Sequence, residues 1–346
     1  MRRFGRWLLR FAALMVVLVL GLLAPSAYVE LACRGEATPQ VASILPPDHR
    51  RAEARTLLTY PEWHIVHAYD DYARVIATGD PHDYGFLRGI AGFWSSFCAL
   101  SQQADTLGTE DGGSRQTVHV IGVSFTAELL MKAAYEETLG RVATWIRGAD
   151  RAPLDDLSAA QAAAYATFLE QVPWYRWDFR ADRAALDAAA TEAFRDRERR
   201  LALGLENGAK AAYAGVIKEA VAGVGADALT LRMILTGLET PLDGITVIGP
   251  RPEGMEIETP RYRALTVLLQ EMAAGGADFV EIAGNDDILF TTISQTPASG
   301  PGVIASLPRQ GAEDLRNLHL VKVPDLAAHL RALGENGLTL EHIHDY

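Results

Sequence analysis

Residues 59–76 read TYPEWHIVHAYDDYARVI. Thr59 and Glu62 have the spacing of a capping box, in which the Thr hydroxyl takes an orphan amide and the Glu reaches back to the Thr amide. Pro61 falls in a first turn, where its missing N–H costs nothing. The spacing predicts a helix starting here. Ile65, Tyr69, Tyr72 and Ile76 share one apolar face of it. His64, His67, Asp71 and Arg74 recur at i, i+3, i+7 and i+10 and form a polar stripe on another. That stripe is either a solvated surface or the wall of a site.

No other stretch gathers so many titratable and aromatic side chains, so Glu62, Trp63, His64, His67 and Asp71 are the candidate ligand-binding residues. His64, His67 and Asp71 are also ligand types for a divalent metal, the one cofactor class the residues point to. Two imidazoles at i and i+3 resemble the helix-borne half of a di-metal carboxylate site, with Glu128 and Glu136 as candidate further carboxylates. Against this, Glu62 already has a capping task, and neither Glu-x-x-His nor His-Glu-x-x-His occurs here. The free amides of a helix start would equally favour an anion. In the closing EHIHDY, His342 and His344 fall on one face of a strand, a second chelating pair or a frayed polar end.

The chain has 346 residues and a net charge of −12, although its first 27 residues hold four arginines and no acid. An acidic body without a basic stripe excludes nucleic acid as a partner. Two cysteines, Cys33 and Cys98, exclude a four-cysteine zinc site, and they can pair if the body lies in an oxidising compartment. Glycine motifs for a P-loop, a dinucleotide fold or a nucleophile elbow are missing where their chemistry needs them.

Residues 7–31 are long and apolar enough to cross a bilayer, with Arg10 snorkelling. The arginines before them keep the N-terminus cytoplasmic, which predicts a single-pass inner-membrane protein with an extracytoplasmic body. A cleaved signal peptide, with small residues around 24–27, and a lipoprotein site at Cys33 are the competing readings, and both also export the body.

Outward from there, the pattern gives an anchor (1–32), a connector (33–58), a mainly α-helical domain (59–236) and an α+β domain (240–346). In the helical domain, residues 86–104 read as a buried helix, 117–123 as a short strand and 124–146 as a helix with Glu128/Lys132 and Glu137/Arg141 pairs. The aromatic run at 173–179 reads as a plug between helices or an aromatic belt. In the last domain, Thr259-Pro260 reads as a helix N-cap, residues 284–287 as a hairpin turn, and the element order as a ferredoxin-like sandwich. No internal repeat is visible. Two functions are expected: an envelope protein binding a partner protein or small ligand, with the α+β domain as its interaction module, or a membrane-tethered metalloenzyme using the His64/His67/Asp71 face.

Overall fold

The computed structural model describes residues 2–36, 42–108, 113–221, 229–238 and 242–346. Helix α1 (Arg2–Ala32) is long and apolar enough to cross a membrane. Only its last turns touch the body: Val29 and Cys33 are buried, and Cys33 is disulfide-bonded to Cys98. The connector holds a short α2 (Arg55–Leu58).

Helix α3 (Tyr60–Thr78) forms as predicted, but without the capping box. Thr59 is itself helical, with φ −77° and ψ −27°, because the chain already turns helically through α2. Its hydroxyl donates back to the Thr56 carbonyl at 3.1 Å. Next come α4 (Phe86–Thr106) and α5 (Gly113–Tyr135), which passes through a π-turn (Glu136–Gly140) into α6 (Arg141–Arg147). Residues 117–123 are therefore helical, and the predicted strand is wrong. Their β-branched side chains favour a strand only weakly, and close packing decides otherwise. A Cβ on Gly122 would stand 2.4 Å from Phe93 Cε1, and Trp94 Nε1 donates to Thr126 Oγ1 at 2.9 Å across the same contact. Most of the connection between α4 and α5 lies outside the described residues.

Helices α7 (Pro153–Leu169), α8 (Phe179–Ala189) and α9 (Phe194–Val221) complete the helical region. The aromatic run is a plug: Trp174, Tyr175 and Trp177 pack on Tyr165 and Phe179. Glu137 pairs with Arg141 as predicted. Glu128 and Lys132 instead cross to α9, pairing with Lys210 and Glu206 at 2.8 and 3.0 Å.

The C-terminal region is α+β, made of two antiparallel sheets. It runs β1 (Thr230–Thr236), β2 (Thr246–Arg251), β3 (Gly254–Pro260), α10 (Arg263–Ala274), β4 (Asp278–Ile282), then β5 (Asp287–Ser294), β6 (Val303–Pro308), β7 (Leu315–Lys322), α11 (Val323–Ala332), β8 (Thr339–His344). The sheet orders are β2-β3-β1-β4 and β6-β7-β5-β8. The same β-β-β-α-β unit thus occurs twice. Each copy carries a register shift after the fifth residue of its central strand, at Ile234/Leu235 and at Thr291/Thr292. A single ferredoxin-like sandwich does not form. Only the split β-α-β element is kept, in β3-α10-β4 and β7-α11-β8, where two parallel strands enclose a third.

Three local expectations change with this topology. Thr259 and Pro260 close β3, and α10 begins only after Tyr262, whose φ is +61°. The turn at 284–287 is no hairpin, because β4 pairs with β1 while β5 pairs with β7 and β8. The α+β region starts at β1, inside the stretch assigned to helices, and part of the expected boundary lies outside the described residues.

Strand alternation joins the two regions. Ile288, Phe290, Val321 and Ile343 enter a core with α10 and α11, whereas Leu289 and Leu318 face the helices and pack with Phe93, Phe97 and Tyr84. The second sheet is therefore covered on both sides.

Candidate functional site

Because Ile343 points into the α10–α11 core, its neighbours His342 and His344 point the other way, towards α2 and α3. The two histidine pairs read separately from the sequence meet there. Trp63 lies against His342 with ring centroids 3.6 Å apart, and the His342 and His344 centroids are 4.8 Å apart. Tyr60 stands edge-on to His344 at 5.4 Å. His67 Nε2 is 3.8 Å from Glu341 Oε2. Arg316 on β7 grips Glu341 through two bonds of 2.6 and 2.7 Å.

Hydrogen bonds fix the strand against the helices. Thr56 Oγ1 donates to the His344 carbonyl at 2.6 Å and accepts from the Leu289 amide at 2.9 Å. From α10, Thr266 Oγ1 accepts the Ile343 amide at 3.0 Å and lies 3.1 Å from His342 Nδ1. The end of the chain is thus buried, and the frayed-strand reading falls: His342, His344 and Tyr346 are all at most 2% exposed.

The other predicted residues go elsewhere. Glu62 is exposed. His64 turns towards α4, with Nε2 3.2 Å from the Gly89 carbonyl and its ring edge-on to Phe93. Asp71 is buried one turn further on, where its Oδ2 accepts the Gln310 amide at 2.9 Å. The stripe is a wall rather than a solvated surface, but it faces several neighbours. Glu128 and Glu136 lie in another part of the bundle, neutralised by Lys210 and by Arg199. Tyr60, Arg316 and Glu341 were missed. Glu341 adjoins the histidine pair in EHIHDY, whereas no local signal marks Arg316.

Burial sets the charge states. It pushes His64 down to about 4 and His344 down to about 3, and holds His67 and His342 well below the ordinary imidazole value. All four rings are neutral at pH 7. Burial pushes Asp71 up to about 6, against the pull of Arg316 and the Gln310 amide. For Glu341, burial favours the neutral acid, but the facing His67 and Arg316 hold the group below the carboxylate range; since His67 is itself neutral, Arg316 is the effective partner.

Four buried atoms at this junction have no hydrogen-bond partner: Tyr60 Oη, His67 Nε2 and both ring nitrogens of His344. His64 Nδ1 and Asp71 Oδ1 flank them in the same condition. Each unpaired buried polar atom costs roughly 1–3 kcal/mol, so such a concentration marks the junction as a place for a water, an ion or another small ligand. Neither leading cavity lies here. One of about 290 Å³ opens between Arg50, Arg51, Glu53 and Glu281, and a far smaller one lies among Tyr69, Tyr72 and Tyr84.

Among the described residues, the single group of three metal-type donors within 4.8 Å of one another is Glu53, Asp286 and Asp287. It is already served. Lys322 Nζ sits 3.0 and 2.6 Å from the two aspartates, and Glu53 Oε1 accepts the amides of Asp286 and Asp287. No family model, curated protein or solved structure matches this chain.

Proposed function

We propose that this is a single-pass membrane protein whose extracytoplasmic body binds a small ligand where α3 meets β8, and that the ligand is a divalent transition-metal ion. The arginine-rich start and the Cys33–Cys98 disulfide support export of the body. The observation that carries the binding reading is the set of unpartnered buried atoms around Tyr60, His67 and His344. Imidazole nitrogens beside a carboxylate suit zinc, copper or nickel. His67, His344 and Glu341 are the ligands, and Arg316 orients the carboxylate from behind, as outer partners of metal ligands do. These donors do not lie within 4.8 Å of one another, so binding draws β8 and α3 together. Aromatic rings pack closely around the site, which favours binding over turnover.

Calorimetric titration of the full chain with zinc(II), copper(II) or nickel(II) tests this. One ion per chain is expected, with uptake lost in a His67→Gln, His344→Gln variant that still folds by circular dichroism. A chain that takes up none of the three ions, or a double variant that binds like the parent, overturns the proposal.

A further inference from the structure

Helix α1 and the α5–α6 rod run antiparallel where they meet. Gly35 N and Arg115 both reach Asp105, whereas Ser26 Oγ and Glu30 Oε1 both reach His119, each at 2.8 Å. Moving back along α1 towards its apolar half therefore corresponds to moving forward along α5. In that direction the rod presents large apolar side chains to the outside. Met131, Leu139, Val142, Trp145 and Ile146 are between 51% and 81% exposed, as is Leu87 at the start of α4. Residues Gly113–Arg147 also pass, by length and composition, as a candidate membrane span.

A soluble surface seldom shows so many large apolar groups together. On the bundle side, the first half of the rod packs Val118, Phe125 and Leu129 into the core, and in the second half Lys132 and Glu136 pair inward with Glu206 and Arg199. The second half of the rod is thus two-faced, with paired charges in the bundle and large apolar side chains outward. Trp145 and Arg141 add the residue types that favour the level of lipid headgroups.

We infer that the outer stripe of α5–α6 seats in the bilayer that α1 crosses, holding the body against the membrane at a second place. The inference rests on reading α1 as a span. Lipid is the occupant because the rod leads from its α1 contact at His119 in the direction of the apolar half of α1.

The test uses the full chain in lipid vesicles. Cys33 and Cys98 are disulfide-bonded, so a new cysteine takes a thiol-reactive fluorophore selectively. Separate Trp145→Cys, Val142→Cys, Val17→Cys and Glu335→Cys chains are labelled, and quenching by spin-labelled lipid is compared. Labels at 145 and 142 should be quenched roughly threefold more than one at 335, and the label at 17 more still, as lipid contact requires. If 17 is quenched but 145 and 142 behave like 335, the second contact is refuted and the anchor stands. If 17 is not quenched, the anchor reading fails and takes the inference with it. Labels at 145 and 142 that are shielded from aqueous iodide but insensitive to lipid would show a protein covering the stripe, which also refutes it.

Discussion

Trp63 lies almost flat against His342, with centroids 3.6 Å apart and planes inclined by 32°. One ring starts α3 and the other belongs to the last strand, so this contact closes the helical region onto the sheet. Trp63→Ala should cost roughly 2–4 kcal/mol, since the indole is half-buried, and Trp63→Phe less. A double-mutant cycle with His342→Ala should give a coupling of about 0.5–1.5 kcal/mol. Strictly additive losses in denaturant melts would show that the rings only adjoin.

Arg316 and Glu341 are both largely buried and paired in two-bond geometry. Arg316→Met should destabilise the chain by roughly 3–5 kcal/mol at neutral pH, because it strands a buried carboxylate. Without the guanidinium, burial raises the Glu341 pKa, so the loss should shrink as pH falls. Adding Glu341→Gln should recover most of it. Melting curves at pH 5 and pH 8 for the parent and the two variants decide the matter.

Burial, and then the neighbouring Asp286 carboxyl, push Glu53 up to about 7. Its folded pKa lies above its usual value, so the folded state binds the proton more tightly. The contribution of this group is most favourable below its unfolded pKa and is lost as pH rises through about 7. Stability should therefore fall, by on the order of 1–3 kcal/mol, between pH 4.5 and pH 8. Glu53→Gln keeps an oxygen for the Asp286 and Asp287 amides and should flatten that part of the profile. An unchanged slope in the variant would assign it to another group.

The Cys33–Cys98 bond closes a loop with a sequence separation of 65 and ties α1 to α4. Replacing both cysteines with serine should cost roughly 2–4 kcal/mol. Reductant should lower the melting temperature of the parent and leave the double variant unmoved. A parent that melts alike in both conditions would mean that the loop is already held by packing.

What could be read from the sequence was whatever repeats locally. The span, α3 and the buried α4 show their apolar pattern within a couple of dozen residues. Residues 117–123 did not, because Gly122 is helical for the sake of Phe93, a residue on another helix. Thr259-Pro260 carries a true cap signature that β-pairing with Thr230 and Leu231 overrides. The site was half legible. Both histidine pairs had a spacing that puts them on one face, but nothing local says that the faces meet, or that Arg316 holds the acid between them. The doubled β-β-β-α-β unit escaped because what the two copies share is register rather than residues.

That doubling gives Glu281 and His342 the same address. Glu281 lies opposite Ile234 and His342 opposite Thr291, and these are the fifth residues of the two central strands. At that address the first copy fastens the connector, with Glu281 accepting the amides of Ile44 and Leu45 at 2.6 and 2.8 Å. The second copy presents an imidazole to Trp63. The same position is a buckle in one half and a ring contact with the helical region in the other. The repeated topology therefore lets one half hold the connector while the other meets α3, with neither contact constraining the other.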